Sequence, residues 1–537
     1  MAMADLTHFE FILLFLLVLV SALAAAAKRI RIPYPIVVVI GGLCLSLIPQ
    51  VPRVALDPNV VFFVFLPPLL FSASFHVSWR DFRGNLVSIV MLAFGLVGFS
   101  LYGVAVTTRA FIPGFDWKLG LVLGAVVAAT DAIAATSTAK RLGLPRGVVD
   151  LLEAESLVND GSGLLALKFT AAMVVTGVTP TISQGFGQLL YLIAMAVLIG
   201  LAIGFVVSFF ATRIDEAPIE ITLSIVAPYL TYLLAEAAQC SGVLAVIACG
   251  LYLGRRSSGT YSLQARIESS AFWRTIDFIL NGLVFLLVGL QLPAILADIR
   301  GLTRTQLILD GTLFSVIVIL LRLLWAYPGA WISAQISRHI LGRQERNPSP
   351  RLVFLVGWAG MRGVLALAAA MSLPERLSNG SPFPQRRLII FLTFCAIFAT
   401  LVVQGLTMPA LIRSLGLGGY SISHEEETRA RQEMINGALQ ALDRMRADSE
   451  ESTEALDAME AYYRRQLTLL DSDDSDSASA AKDEAEGLFR LGRKLRTVER
   501  SVALRLRNED QIHDEVLRTL ERELDLLDAR FVRPTHG

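Results

Sequence analysis

Two aspartates stand in apolar stretches long enough to cross a membrane, where a carboxylate needs a proton, a cation or a basic partner. Asp131 follows Thr130 near the middle of LGLVLGAVVAATDAIAATSTAK, and Asp160 lies in VVDLLEAESLVNDGSGLLALKFTAA. A charged side chain at the bilayer centre costs about 2.5–3.5 kcal/mol on insertion scales, so such residues usually have a function. We therefore interpret both aspartates as candidates for binding a small cation or a proton.

The second stretch carries three more polar residues at helical spacing around Asp160. Ser156 precedes Asp160 by one helical turn, and Glu155 precedes Asn159 by the same interval. Residues four apart share one face of a helix, so these are two adjacent stripes. The spacing predicts that Ser156 and Asp160 face the same cavity as Asp131, while Glu155 and Asn159 face a neighbouring helix.

Two arginines in later apolar stretches supply the opposite charge. Arg322 lies in SVIVILLRLLWAYPG and Arg362 in LVGWAGMRGVLALAAAMS. Two buried guanidinium groups set against Asp131, Glu155 and Asp160 leave one carboxylate in surplus. A site that alternates between a cation and a proton needs such an imbalance, although Arg322 also fits a purely structural role in neutralising charge.

The composition places these residues in a polytopic membrane protein. Of 537 residues, 54% are hydrophobic and 18% are charged, whereas soluble domains average about 25% charged residues. A bilayer core requires roughly 20 apolar residues per helix. Thirteen ranges are candidate spans: 9–27, 33–49, 59–77, 85–111, 117–139, 148–173, 185–212, 219–238, 241–254, 271–296, 305–334, 351–373 and 387–414. Of these, 241–254 is short, so the division between it and 219–238 is open to another choice.

Two of these spans contain residues that allow a helix to break. The fifth span has small and hydroxyl residues around Thr130 and Asp131, and the twelfth contains Gly357, Gly360 and Gly363. Unwound backbone is tolerated in a membrane where it lines a cavity, and transporters bind ions at such breaks. The sequence therefore predicts discontinuous helices in the fifth and twelfth spans.

Lysines and arginines are more frequent in the loops that follow odd-numbered spans, for example at Lys28, Arg29, Lys140 and Arg141. Such an excess marks the cytoplasmic face. We therefore predict a multi-pass protein of the inner or plasma membrane, with its N-terminus outside and its C-terminal tail in the cytoplasm.

The chain changes character near residue 415, which predicts two domains. Residues 1–415 form the transmembrane domain, and residues 421–537 form a charged helical tail interrupted by an acidic linker, 471–482. In the tail, leucines from Leu517 to Leu527 repeat at helical spacing, which favours packing of helices on one another.

Several other classes of protein lack support in the sequence. The chain has 47 basic and 47 acidic residues, so its net charge gives no indication of a nucleic-acid partner. Its four cysteines show no spacing typical of zinc or of a disulfide framework. No motif indicates a cofactor or ATP hydrolysis, so we expect an ion gradient to drive transport.

Five stretches in this order carry a family resemblance. They are FLPPLLFSASFHVSWRDFRGN, ATDAIAATS, ESLVNDGSGLL, SGVLAVIACGLYLG and GWAGMRGVLALA. Together they resemble the bacterial sodium/proton antiporters of the monovalent cation:proton antiporter-1 family, in the sodium/hydrogen exchanger superfamily. The resemblance implies two inverted six-helix repeats, spans 1–6 and 8–13, with the fifth and twelfth spans crossing, and a homodimer.

The resemblance also implies individual roles. It places Na+ among Thr130, Asp131, Ser156 and Asp160, with Glu155 and Asn159 supporting Asp160, Arg322 pairing with Glu155, and Arg362 stabilising the crossing. Many relatives have proline after the Thr-Asp pair, where this chain has Ala132. His76 is interpreted as a packing histidine at the membrane interface rather than as a pH sensor.

The sequence therefore predicts electroneutral exchange of Na+, and also Li+, for protons, with Asp160 as the carrier. K+ exchange by the same mechanism is the alternative, because nothing in the residue types of the site excludes K+. A remote alternative is an intramembrane aspartyl protease, but its Gly-x-Gly-Asp signature is absent around Asp131 and Asp160. A passive channel lacks support because no filter-like loop repeats.

Overall fold

The structure is a computed structural model. It describes residues 2–48, 56–178, 181–214, 216–299, 303–340, 342, 349–417, 424–448 and 453–471, and seven positions between 498 and 509. Throughout these residues the secondary structure is helical, and the only β-contact among them is an isolated bridge between Arg376 and Pro382.

The helices, numbered in chain order, are as follows: α1 Ala2–Ile30, α2 Tyr34–Ser46, α3 Pro58–His76, α4 Trp79–Gly84, α5 Leu86–Phe111, α6 Trp117–Ala128, α7 Ile133–Arg141, α8 Arg146–Thr176, α9 Ile182–Ala211, α10 Ala217–Ala237, α11 Gly242–Thr260, α12 Leu263–Leu290, α13 Leu292–Asp298, α14 Arg304–His339, α15 Pro350–Trp358, α16 Val364–Met371, α17 Arg386–Ser414, α18 His424–Asp448 and α19 Thr453–Asp471.

The predicted spans and the described helices agree in position. Each of the thirteen apolar ranges overlaps one helix or a consecutive pair of helices. The adjacent ranges 219–238 and 241–254 are indeed separate helices, because α10 ends at Ala237 and α11 begins at Gly242. Within the described residues, nine helices are long and apolar enough to cross a membrane, and α2 is a shorter apolar helix. The prediction of an all-helical, polytopic membrane protein is therefore confirmed.

Short polar side chains fix where several membrane helices begin. The first turn of a helix leaves backbone N–H groups unsatisfied, and a side-chain oxygen just before the helix accepts one of them. Side-chain oxygens accept such hydrogen bonds at seven of the described helices. The accepting residues are Asp57 before α3, Ser78 before α4, Asp116 before α6, Ser241 before α11, Ser262 before α12, Thr303 before α14 and Ser349 before α15.

Burial separates central helices from peripheral ones. In the apolar window of Trp117–Arg141, 83% of the residues are buried inside the protein, against 22% in Ser183–Ala211. Large apolar side chains on α9, among them Leu198 and Phe205, are exposed, as expected for a helix that faces lipid. The centre of the bundle therefore contains the segment that carries Asp131.

The two segments predicted to break are both broken. The helix that begins at Trp117 ends at Ala128 and resumes at Ile133, while the other ends at Trp358 and resumes at Val364. Small residues flank both breaks, so the unwound backbone can approach other segments of the same chain closely. The freed backbone groups require new partners inside the bundle.

The chain divides into two compact units, Met1–Gly419 and Tyr420–Gly537. In the second unit, α18 and α19 are joined by ion pairs from Arg446 to Asp457 at 2.5 Å and to Glu460 at 2.9 Å. The acidic linker beyond Asp471 and the leucine stripe from Leu517 to Leu527 lie outside the described residues.

Candidate functional site

The two breaks meet at Asp131. Its backbone N–H donates to the carbonyl oxygen of Met361 at 2.7 Å, which joins the fifth predicted span to the twelfth. The approach is so close that a Cβ atom on Gly363 would overlap Asp131 Oδ2. Glycine at this position therefore allows the carboxylate to lie directly against the second break.

The Asp131 carboxylate stands at the start of the half-helix α7. Its Oδ1 accepts a hydrogen bond from Ile133 N at 2.9 Å. Backbone N–H groups in a first helical turn attract negative charge. This contact fixes the position of the Asp131 carboxylate, and the side chain still lines a cavity.

Ser156 links α8 to the first break. Its hydroxyl donates to the Thr130 carbonyl oxygen at 2.6 Å and accepts from Ala132 N at 3.3 Å. Asp160 follows one turn later and lines the same cavity. Within the described part of the chain, the Asp160 carboxylate forms neither a hydrogen bond nor an ion pair. It is therefore available to a proton or a cation.

Asn159 lies on the face of α8 that also carries Glu155, and its side chain holds the unwound backbone of the first break. Its amide nitrogen donates to the Ala128 carbonyl at 3.0 Å and to the Thr130 hydroxyl at 3.1 Å. The side chain is fully buried, and its Oδ1 has no hydrogen-bond partner among the described residues. Asn159 thus supports the break that carries Asp131 without lining the cavity.

Glu155 and Arg322 form a buried bidentate ion pair. The Nη1–Oε1 distance is 2.6 Å and the Nη2–Oε2 distance is 3.0 Å, and both residues are at most 2% exposed. Arg322 also donates from Nε to the Gly357 carbonyl at 3.1 Å and from Nη2 to the Val356 carbonyl at 3.2 Å. One guanidinium thus neutralises Glu155 and satisfies carbonyls at the end of α15.

Arg362 binds backbone rather than a carboxylate. Its Nε donates to the Val127 carbonyl at 2.9 Å and its Nη1 to the Gly360 carbonyl. Its own backbone N–H donates to Thr400 Oγ1 at 3.0 Å. A cation is favourable beside carbonyls at a helix C-terminus, and Val127 lies in the last turn of α6. Arg362 therefore ties the two broken helices together.

A cavity of about 330 Å³ lies beside four of these residues. Its lining includes Thr130, Asp131, Ser156 and Asp160, while Glu155, Asn159, Arg322 and Arg362 lie outside it. At its outer end, Lys140 and Glu153 form an ion pair at 2.7 Å, with side chains 59% and 32% exposed. The two aspartates thus share one water-accessible space that opens at one end of the bundle.

The sequence analysis missed one acidic residue of this cavity. Asp277, on α12, accepts a hydrogen bond at its Oδ2 from the Ser72 hydroxyl at 2.5 Å, and Asn281 lines the cavity one turn further on. Asp277 was detectable as an isolated acid in the predicted span 271–296. What the sequence could not provide was its proximity to Ser72, which lies about 200 residues earlier in the chain.

Two other polar residues, Lys168 and His76, have ordinary partners. Lys168 donates to Glu236 at 2.9 Å in an exposed ion pair, and exposed pairs of this kind contribute little to stability. His76 Nδ1 lies 2.7 Å from the Ser72 carbonyl, which can only accept, so this nitrogen carries the proton. The ring lines the cavity near its outer end.

Comparison with known proteins gives extended matches. The chain is 32% identical over 507 residues to an uncharacterized Na+/H+ exchanger of Mycobacterium tuberculosis, covering 93% of this chain and 92% of the relative. It is 32% identical to the Na+/H+ antiporter ApNhaP of Aphanothece halophytica, and the match covers 72% of this chain and 70% of that relative. It is 34% identical to a sodium, potassium, lithium and rubidium/H+ antiporter of Bacillus pumilus, and the match covers 69% of this chain and 56% of that relative.

Similarity of fold extends to a solved structure. The sodium proton antiporter MjNhaP1 of Methanocaldococcus jannaschii matches 76% of this chain and 99% of its own, with a TM-score of 0.56 and 19% identity. The helical bundle and the polar site at two broken helices define a membrane transporter rather than an enzyme. The model of the sodium/hydrogen exchanger transmembrane family matches residues 14–414, and the chain belongs to that family. It is therefore a cation/proton antiporter of the cell membrane.

Proposed function

We propose that this protein exchanges Na+, and also Li+, for protons, with Asp160 binding the cation or the proton in turn. The observation that carries the proposal is the pair of carboxylates, Asp131 and Asp160, lining one cavity with no basic partner among the described residues. Glu155 is excluded from this role because Arg322 engages both of its oxygens. A single carboxylate that holds either ion, but not both, couples the two fluxes.

The remaining residues would position the cation. Asp131 stays ionised at the start of α7 and supplies a second carboxylate. The Ser156 hydroxyl and the Thr130 backbone add oxygen atoms, which suit hard cations better than nitrogen or sulfur does. Asn159 and Arg362 would hold the broken helices so that these oxygens keep their places. Alternating access would then expose Asp160 to one face of the membrane at a time.

K+ is the second candidate substrate. One relative is named for Na+ exchange, and another for exchange of sodium, potassium, lithium and rubidium. Carboxylate, hydroxyl and carbonyl oxygens would coordinate either ion, so the discrimination depends on the size of the site when it is occupied. We place Na+ first because the family is a sodium/hydrogen exchanger family.

The architecture belongs to the same proposal. We expect about thirteen transmembrane helices in residues 1–415, with two inverted six-helix repeats, and a cytoplasmic tail formed by residues 421–537. The mouth of the cavity at Lys140 and Glu153 would then face the cytoplasm, because the excess of basic loop residues lies on that side. The resemblance to the antiporter family supports a homodimer.

Purified protein reconstituted into proteoliposomes tests the function. With an internal pH dye, we expect Na+ and Li+ to drive proton movement in wild-type vesicles, and K+ to drive it much less. Equal responses to K+ and Na+ would establish the K+ alternative. No response to any of the three cations, in vesicles that contain folded protein, would overturn the proposal.

A further inference from the structure

Asp277 is a cavity carboxylate without a role in the exchange cycle described above. It lies on α12 and lines the same cavity as Asp131, in the break before α7, and Asp160, on α8. Its Oδ2 accepts from the Ser72 hydroxyl, and Ser72 is only 1% exposed. Its Oδ1 is inaccessible to solvent and has no hydrogen-bond partner within the described residues. One oxygen is therefore fixed by the protein and the other is left unsatisfied.

A purely structural role explains this arrangement poorly. A serine hydroxyl can hydrogen-bond to an uncharged group equally well, whereas a carboxylate within a membrane span carries a desolvation cost. No basic residue among those described forms an ion pair with Asp277. The lysine that lines the same cavity, Lys140, is paired with Glu153 at the mouth. Within the described residues, Asp277 therefore has no ion-pair partner, and the histidine that lines the same cavity, His76, directs its Nδ1 to the Ser72 carbonyl.

We propose that Asp277 is a recruitment site for the incoming monovalent cation, between the mouth of the cavity and the pair Asp131 and Asp160. The inference depends on the proposed function and adds a residue to it. Ser72 orients the carboxylate through Oδ2, and Asn281 presents its amide on the same face of α12, one turn away. With so few protein oxygens at this point, the cation keeps most of its water.

A recruitment site of this kind acts through charge rather than through coordination geometry. A negative charge in a cleft with low-dielectric walls raises the local concentration of cations. The effect applies to Na+ and Li+ alike, and it weakens when added salt screens the field. Removing Asp277 should therefore weaken apparent affinity for every transported cation by a similar factor, without changing the turnover at saturation.

The other charged or titratable groups facing this part of the cavity are His76, Lys140, Glu153, Asp131 and Asp160. His76 uses Nδ1 to donate to the Ser72 carbonyl, so it lies on the same turn that orients Asp277. Because Lys140 and Glu153 offset each other, Asp277 adds a negative charge to the cavity that belongs neither to that ion pair nor to the pair Asp131 and Asp160.

The decisive variant is Asp277→Asn, measured in everted vesicles with the cation added at the cytoplasmic face. We expect the KM for Na+ and for Li+ to rise about three- to tenfold together, the range expected for one unit charge several ångströms away in a partly hydrated site, with little change in maximal rate. In right-side-out vesicles the KM should stay within twofold of wild type. Asp277→Glu should restore most of the cytoplasmic affinity.

Two controls separate charge from structure. Asp310→Asn removes an acid from α14 outside the cavity and should behave as wild type. Raising ionic strength with an untransported organic salt should raise the wild-type KM towards that of Asp277→Asn.

Results that contradict the recruitment role can be told apart from results that contradict the proposed function. An unchanged cytoplasmic KM in folded Asp277→Asn would overturn the recruitment role. So would a fall in maximal rate at constant KM, or an equal rise in KM at both faces. These results leave the proposed function standing, because wild type would still exchange cations. Failure of wild type with Na+, Li+ and K+ would overturn the function itself.

Discussion

The Arg322 guanidinium donates two parallel hydrogen bonds to the Glu155 carboxylate, at 2.6 Å and 3.0 Å, where neither side chain is more than 2% exposed. Removing one partner leaves a buried charge uncompensated, which typically costs about 3–5 kcal/mol. Glu155→Gln and Arg322→Ala should therefore each lower thermal stability in detergent more than Asp160→Asn does. A double-mutant cycle should show strong coupling between the two positions; additive losses would contradict the pairing.

Asp160→Asn should abolish exchange while the protein stays folded. The amide is nearly the same size as the carboxylate, and Asp160 has no hydrogen bond or ion pair to lose among the described residues. What the variant loses is the ability to release a proton or to balance a cation. Proton flux in proteoliposomes, alongside size-exclusion profiles and melting temperature, measures both parts. Substantial transport by the purified variant would remove Asp160 from the carrier role.

Asp131→Asn should weaken cation affinity while the local backbone is preserved. An amide oxygen can still accept from Ile133 N, as Oδ1 does at 2.9 Å in the wild type. The break should therefore remain, but the second negative charge beside the ion is gone. We expect at least a tenfold loss of apparent Na+ affinity, about 1.4 kcal/mol. If Na+ affinity is unchanged, Asp131 has a structural role only.

The general region of the site could be predicted from the sequence, but its contacts could not. Asp131 and Asp160 are detectable because a carboxylate is rare in an apolar span, and helical spacing places Ser156 beside Asp160. The sequence does not reveal which arginine reaches Glu155, because both lie far away along the chain. Folding places Arg322 on the carboxylate and directs Arg362 to backbone carbonyls instead.

Asp277 shows a second limit of prediction from the sequence. The sequence analysis balanced three carboxylates against two arginines and left Asp277 out. A single acid without a recognisable motif gives no indication of which residues it will face. Its partner Ser72 comes from α3, and only packing of that helix against α12 brings the two together. The roles of hydroxyl and amide side chains, such as Asn159 donating to Thr130 Oγ1, likewise depend on tertiary contacts.

Gly363→Ala should impair transport severely although only one methyl group is added. A Cβ atom at this position would overlap Asp131 Oδ2, so the carboxylate or the crossing backbone must move. The loss should appear in both affinity and maximal rate. Gly98→Ala on α5 is the matched control, because nothing lies within 4 Å of its added Cβ. Wild-type exchange by folded Gly363→Ala would show that the close approach at the crossing is dispensable.

Exchange should carry no net charge across the membrane. In the proposed cycle Asp131 keeps its charge, Glu155 is neutralised by Arg322, and Asn159 cannot titrate. Asp277, as a recruitment site, also keeps its charge in both half-cycles. Asp160 is then the one group that trades a proton for a monovalent cation, so the loaded site has the same charge in either direction.

An imposed voltage moves an equilibrium only when net charge crosses the membrane, by about 2.3 kcal/mol per unit charge per 100 mV. Rates of Na+-driven proton flux should therefore be nearly the same with and without a K+/valinomycin potential. Transport currents on a supported membrane, or a rate that climbs steeply with voltage, would mean that a second group also titrates. Asp277→Asn would then identify that group if it alone removed the voltage dependence.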